Sequence, residues 1–147
     1  MKQFVFNLQK VLELRSYYER EAEIDLGRAV GALTAIENNI EAIAQERHRI
    51  AERFSAGYEA HDILVADRYL QRLSVTKDKL LKEAAEADKK VEAAREIYLN
   101  ASRDRKILDK VREGRQHEYH KAMLLEEVKE TDDLTSSKSK NNSRRLL

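Results

Sequence analysis

The sequence predicts an all-α fold, a long two-helix hairpin in which the helices pack as an antiparallel coiled coil. Two stretches of the chain carry apolar residues at alternating steps of three and four, and one glycine-containing break separates them. The composition favours the same fold, because 37% of the 147 residues are charged, proline is absent and only four residues are glycine. Such a composition is typical of long helices and coiled coils.

The first helix is predicted over residues 8–54. Nine of the ten positions in its stripe are apolar, and Arg47 is the exception. A stripe of this period is the seam of a coiled coil. Its members are Ala22, Leu26, Ala29, Leu33, Ile36, Ile40, Ile43, Arg47, Ile50 and Phe54. A shorter apolar stripe precedes the seam at Phe4, Leu8, Val11, Leu14 and Tyr18. It is out of phase with the seam, which predicts a local change in the supercoil.

The break between the stripes predicts the tip of the hairpin at residues 55–62. Gly57 is suited to the end of a helix, because glycine enters the left-handed region without a clash of its side chain. Asp62 is suited to the N-cap of the next helix, where its carboxylate accepts free backbone amides. A short connection of this kind places two helices antiparallel.

The second helix is predicted over residues 62–128, which gives a hairpin over residues 1–130. Twelve of its fourteen seam positions are apolar. The positions are Ile63, Ala66, Leu70, Leu73, Lys77, Leu80, Ala84, Ala87, Val91, Ala94, Tyr98, Ala101, Arg105 and Leu108. Residues 131–147 are mostly Ser, Thr, Asn, Lys and Arg, and this polar composition predicts a disordered tail.

Several function classes are excluded by composition. The net charge of +1 argues against nucleic acid as the main partner, and the absence of cysteine removes thiolate chemistry. The chain has no run of 18 apolar residues, so no transmembrane segment is predicted and a cytoplasmic location is expected. No glycine-rich phosphate loop is present, and two packed helices form no cleft. We therefore expect neither an enzyme nor a cofactor site.

Two local clusters leave alternatives open. Glu113, His117 and His120 share a helix face, but no further ligand completes a coordination sphere, so a solvated face is favoured and no metal is predicted. A basic cluster lies beside them at Arg103, Arg105, Lys106, Lys110, Arg112 and Arg115. It is either an ordinary solvated helix or a docking surface for an acidic partner. The hairpin would bring this cluster next to the amino-terminal aromatic residues Phe4 and Phe6.

Two motifs resemble the FliJ family of bacterial flagellar type III export proteins. The first is Phe6-x-Leu8-x-x-Val11-Leu12-x-x-Arg15-x-x-x-Glu19-x-x-Ala22. The second is Arg103-x-x-Lys106-x-Leu108-x-x-Val111, followed by Glu118-Tyr119. The resemblance covers roughly residues 4–122 and leaves the predicted tail outside the family pattern.

The resemblance implies a hairpin similar to the central stalk subunit of rotary ATPases. Such proteins bind the hexameric flagellar export ATPase with the end that carries both termini. They also contact the cytoplasmic part of the export gate, and they have been viewed as escorts of substrate chaperones. The residues that match the family pattern at the ATPase-facing end are Phe6, Leu8, Val11, Leu12, Arg15, Glu19, Arg103, Lys106, Leu108 and Val111. Leu8, Val11, Leu12 and Leu108 are equally explained by packing within the hairpin.

The function implied is that of a non-catalytic export component, peripherally associated with the inner membrane at the flagellar base, that supports flagellum assembly, motility and the export of flagellar proteins. Two alternatives remain at this point. One is the corresponding stalk protein of a virulence-type secretion system, and the other is a generic coiled-coil scaffold that forms dimers or trimers through the same seams.

Overall fold

The computed structural model describes residues 2–57 and 59–145. It contains two helices, α1 at Gln9–Ser55 and α2 at Ala60–Arg145. The helices pack against each other, and no strand occurs within the described residues, which confirms the predicted all-α hairpin. The described residues divide into two compact units. The terminal unit is formed by residues 2–16 and 103–145, and the body unit is formed by residues 17–102.

Gly57 ends the turn that closes α1, with a φ of 89°. Its amide donates to the carbonyl oxygen of Phe54 at 3.3 Å, and the amide of Ala56 donates to the carbonyl oxygen of Arg53 at 3.1 Å. Both bonds satisfy carbonyl groups that the end of a helix leaves without partners. Gly57 therefore has the conformation that the sequence predicts for it.

The connection between the helices is shorter than the predicted tip at 55–62, because α2 already begins at Ala60. Asp62 is consequently not an N-cap but lies in the first turn of α2. A carboxylate in that turn still interacts favourably with the positive end of the helix dipole. One residue of the predicted tip, residue 58, lies outside the described part of the chain.

The seam of the body unit follows the predicted stripes closely. On α1, Ala22 and Ile43 are buried, and on α2, Ala87 and Val91 are buried. Every other predicted seam position in this unit is half-buried, with two exceptions. Arg47 is exposed and Glu46 takes its place, while Ile63 is 45% exposed because it lies in the first turn of α2. Ser102, which the stripe did not include, is also buried.

The amino-terminal stripe is wrong in three of its five members. Val11, Leu14 and Tyr18 are exposed, whereas the positions that face inward are Leu8, just before α1, and Leu12, Ser16 and Glu19 on α1. Leu8, Leu12 and Ser16 lie four residues apart, in place of the alternating three and four of the seam. The predicted change of phase therefore occurs, but at other residues than predicted. Leu12 is only 5% exposed, because a shift of one residue turns a helix by about 100° and changes which side chain faces inward.

The last part of α2 differs from the predicted disordered tail. The helix does not end at residue 128 but continues to Arg145, and all described residues from 124 onwards are exposed. Neither proline nor glycine interrupts residues 115–145. Hydroxyl groups along it bond back to the helix, as Thr131 does to the carbonyl oxygen of Glu127 at 2.8 Å and Thr135 does to that of Thr131 at 2.7 Å.

We expect this exposed stretch to have almost no stability of its own. A helix without tertiary contacts is marginal in water, and serine and threonine are weak helix formers. Hydrogen exchange should therefore show amides 131–145 exchanging within about tenfold of an unstructured chain, while amides 84–91 are strongly protected. Protection of residues 131–145 equal to that of the seam would contradict this expectation.

Candidate interaction surface

Residues 2–8 precede α1 and lie against α2 in the terminal unit. The hydroxyl of Tyr119 donates a hydrogen bond to the carbonyl oxygen of Lys2 at 2.6 Å. The rings of Phe4 and Tyr119 lie with their centroids 5.6 Å apart and their planes inclined at 50°. Tilted aromatic pairs at this distance add about 0.5–1.5 kcal/mol beyond the area they bury. One residue of α2 thus holds two residues of the amino-terminal segment.

Phe6 is the anchor of this segment. Its side chain is 6% exposed, and the guanidinium carbon of Arg115 lies 5.6 Å from the centre of its ring. A cation over an aromatic face contributes about 0.5–1 kcal/mol at a partly exposed site. The carbonyl oxygen of Phe6 also accepts a hydrogen bond from the amide of Gln9 at 3.1 Å. Burial of Phe6 therefore fixes the direction in which the chain enters α1.

An ion pair joins the two helices in the same unit. The guanidinium of Arg15 lies 3.3 Å from the carboxylate of Asp104, and both side chains are about half exposed, at 45% and 50%. Exposed pairs of this kind are screened by water and contribute between about 0 and 1 kcal/mol. The pair consequently helps to set the register of α1 against α2 more than it stabilises the fold. Arg105 is similarly paired with Asp109 on α2.

The solvent-facing side of α2 in the terminal unit combines cations with apolar side chains. Residues three, four, seven or eleven apart lie on one side of a helix, so the following exposed residues form one side of α2, in two groups about 17 Å apart along the helix. We call it the outer face, and it comprises Arg103, Lys106, Ile107, Lys110, Lys121, Leu124, Leu125 and Val128. Its four apolar members are 57–64% exposed. None of its four cations forms an ion pair within the part of the chain that the structure describes. Glu113 and Glu118 interrupt the row of positive charge.

The structure separates the ten predicted site residues by burial. Phe6 and Leu12 are buried, and Leu8, Leu108 and Val111 are half-buried. These five side chains pack within the terminal unit. For Leu8, Leu12 and Leu108 this agrees with the alternative explanation, packing within the hairpin.

The exposed members of the predicted set are Val11, Arg15, Arg103 and Lys106. Of these, Arg103 and Lys106 lie on the outer face. Glu19 is half-buried and lies in the body unit.

The sequence placed Arg115 in a basic cluster expected beside Phe6, as observed, but it did not point to Tyr119 as a residue that holds the amino-terminal segment. A signal was available for Tyr119, because it is the only aromatic residue of α2 after Tyr98. Ile107, Leu124, Leu125 and Val128 were also missed. They lie off the seam stripe, and an apolar residue off the stripe of a coiled coil is the pattern that indicates a second surface.

Within residues 2–57 and 59–145, no three His, Cys, Asp or Glu side chains are close enough to hold a metal ion. The cluster at Glu113, His117 and His120 is exposed along the helix.

Comparison with known protein families decides what kind of protein carries this surface. The family model described as flagellar FliJ protein matches residues 4–144. The chain belongs to the FliJ family. The predicted resemblance is confirmed, and it reaches beyond residue 122 to include nearly all of the exposed end of α2. Membership in the FliJ family makes this a flagellar export-related protein.

No curated protein and no solved structure matches the chain. Among the described residues of this FliJ-family protein, neither helix has a stretch long and apolar enough to cross a membrane.

Proposed function

We propose that this FliJ-family chain is a non-catalytic, stalk-like component of the flagellar type III export apparatus. It binds the hexameric export ATPase through its terminal unit and the export gate through its body unit, and so supports the export of flagellar proteins. Family membership supports the export role. The outer face of the terminal unit is the observation that supports ATPase binding.

The outer face has the composition of a docking surface. Large apolar residues that a monomer leaves exposed side by side mark protein contacts, and Leu124, Leu125 and Val128 form such a group. Ile107 lies on the same side of α2, about 26 Å along the helix from Leu124. Cations around them select an acidic partner and speed its association. The mixture of Lys and Arg with Glu113 and Glu118 fits a protein surface that carries both signs of charge.

In this proposal, the buried residues of the family motif have a structural role and do not contact the ATPase. Phe6 and Leu12 hold the amino-terminal segment and the start of α1 against α2. They contribute to binding only by keeping the outer face on a rigid support, whereas Arg103 and Lys106 contact the ATPase. Arg15 is intermediate, because Asp104 already neutralises part of its charge.

Reversing two charges of the outer face tests the proposal. In the full chain, Arg103→Glu with Lys106→Glu is expected to weaken binding to the export ATPase by more than about tenfold, because like charges then meet across the interface. Stimulation of ATP hydrolysis by the chain should fall in parallel. Arg15→Glu should reduce it less. The measurements are the affinity for the ATPase and its rate of hydrolysis at a fixed chain concentration.

The matched control is Lys89→Glu with Lys90→Glu. Both lysines are exposed on α2 and the change of charge is the same, but they belong to the body unit. This variant should bind and stimulate like the native chain. Equal effects of the two double variants, or no effect of either, would contradict the assignment of the outer face.

A groove near the hairpin tip supports the second part of the proposal. It has a volume of about 270 Å³ and its apolar lining comes from Ile50 and Phe54 of α1 and from Val65, Ala66 and Tyr69 of α2. Val65 is 57% exposed and Tyr69 is 41% exposed, so both are accessible anchors for a partner side chain. Replacing the exposed groove residue Val65 by glutamate should weaken binding of the gate's cytoplasmic domain while ATPase stimulation persists. Unchanged gate binding would exclude the groove.

A further inference from the structure

The exposed end of α2 separates its charges along the helix. Residues 126–133 hold five acidic residues and one lysine, whereas residues 138–145 hold four basic residues and no acidic one. All of these residues are exposed. The helix dipole acts only within the first and last turns, so it favours basic residues at the very end of α2. It does not account for an acidic block that ends about three turns earlier.

Six residues of this stretch share one side of the helix. They are separated by four, three, four, three and four positions, which keeps them in one row over about 27 Å. We call them the charge row, and they are Glu126, Glu130, Asp133, Ser137, Lys140 and Arg144. The row lies on the side of α2 opposite the outer face. Lys129, the lysine of the acidic block, lies beside the row and forms no ion pair among the described residues.

Neighbours on the charge row repel each other in the single chain. Glu126 and Glu130 are four residues apart, and so are Lys140 and Arg144. Like charges at this spacing destabilise a helix. None of these four side chains forms an ion pair within the part of the chain that the structure describes. The row therefore carries charge that the single chain does not compensate.

We propose that the charge row pairs antiparallel with the charge row of a second copy of this chain. A two-fold axis at residue 135 places Glu126 of each copy opposite Arg144 of the other, and Glu130 opposite Lys140. All four pairs form together, because the two members of each pair lie equally far from residue 135 on either side. An unrelated partner requires no such symmetry of sign, whereas a two-fold dimer requires it.

Leu134 supports the same arrangement. It is 65% exposed, and it is the only large apolar side chain that the structure describes after Val128. It lies one position from the proposed axis, at the edge of the charge row. Because the two helices run in opposite directions, the same edge of each lies on one side of the pair. The Leu134 side chains of the two copies thus lie next to each other at the axis, where their contact removes apolar surface from water.

The size of the charge row makes this a weak dimer. Exposed ion pairs contribute little and are screened by salt. A row of about 27 Å on a single helix is also short for a permanent interface, which buries more than about 1,200 Å². We expect a dissociation constant on the order of 0.1–1 mM at low salt. The pairing goes beyond the proposed function, because its partner is neither the ATPase nor the gate.

Sedimentation equilibrium of the full chain at low salt tests the pairing. The native chain should shift from the mass of one chain to that of two as its concentration rises to about 1 mM, and salt at about 0.5 M should restore the mass of one chain. Glu126→Lys with Glu130→Lys should weaken the dimer by more than about tenfold, because like charges then meet across the axis. Lys140→Glu with Arg144→Glu should do the same. An equimolar mixture of these two variants should recover the dimer, because each reversed block then meets its complement.

The matched control is Lys89→Glu with Lys90→Glu. It changes the net charge as much as the double substitution at Lys140 and Arg144, but it lies in the body unit, and it should dimerise like the native chain. An equal loss in this control would show a response to net charge and overturn the pairing. A native chain that keeps the mass of one chain at every concentration would also overturn it, as would a mixture of the two reversed variants that stays monomeric. The measurements use this chain alone, so their outcome is independent of the ATPase proposal.

Discussion

Replacing Val91 by aspartate is expected to lower the free energy of unfolding by about 4 kcal/mol. Val91 is 4% exposed in the middle of the α2 seam. An unpaired charge buried at such a position loses its hydration, and losses of about 3–5 kcal/mol are usual for uncompensated buried charges. Urea unfolding of the full chain, followed by the helical circular dichroism signal, measures the effect.

Val75 provides the control, because it is a valine on the same helix that is 71% exposed. Val75→Asp makes the same change in helix propensity and charge, but leaves the carboxylate in water. It should cost less than about 0.5 kcal/mol. Similar losses from the two substitutions would mean that the seam of Val91 is not the core that holds the hairpin together.

Replacing Phe6 by alanine is expected to release the amino-terminal segment from α2. Removing a buried phenylalanine typically costs about 3–5 kcal/mol, and Phe6 is 6% exposed under the guanidinium of Arg115. We expect about 3 kcal/mol, since part of the ring's surroundings is solvent. The loss should be local, and the amides of Gln9 and Leu12, which donate to the carbonyl oxygens of Phe6 and Leu8, should exchange faster by about a hundredfold.

Val5 is the matched position for this experiment, because it is adjacent in sequence and 77% exposed. Val5→Ala should leave the exchange of both amides unchanged. Native protection in the Phe6→Ala chain would show that Tyr119, through its bond to the Lys2 carbonyl and its contact with Phe4, suffices to hold the segment.

The seams could be predicted from sequence because a two-helix fold has one way to bury an apolar stripe. Residues such as Ile43 and Val91 lie where the periodicity places them. The prediction failed at Arg47, where a shift by one residue puts Glu46 inward and lets it pair with Arg49 at 2.9 Å. Periodicity cannot distinguish adjacent polar residues when both can extend toward solvent.

The candidate surface was less accessible to sequence reasoning. Residues 2–8 are not helical, so their contacts with Arg115 and Tyr119 follow no period. The family motif mixes residues of two kinds: Phe6 and Leu12 pack inside, whereas Arg103 and Lys106 face solvent. The motif alone does not show which residues pack within the fold and which are free to contact a partner. The burial of each side chain shows this.

At the end of α2, the prediction from composition failed. The polar composition of residues 131–147 predicted disorder, yet the described part of this segment, up to Arg145, is helical. Composition reports that a segment cannot bury apolar surface, but it does not prevent a helix from continuing where no glycine or proline ends it. Predicted disorder and an exposed helix of marginal stability differ only in how often that helix opens.

The most direct test of the central claim, that the outer face binds the export ATPase, is photo-crosslinking from Ile107 in the full chain. A photoreactive side chain placed at Ile107, which is 60% exposed, should crosslink to the purified export ATPase. The same side chain placed at Ile97, which is 62% exposed on α2 but belongs to the body unit, should not. Crosslinking from Ile97 alone, or equally from both positions, would contradict the account.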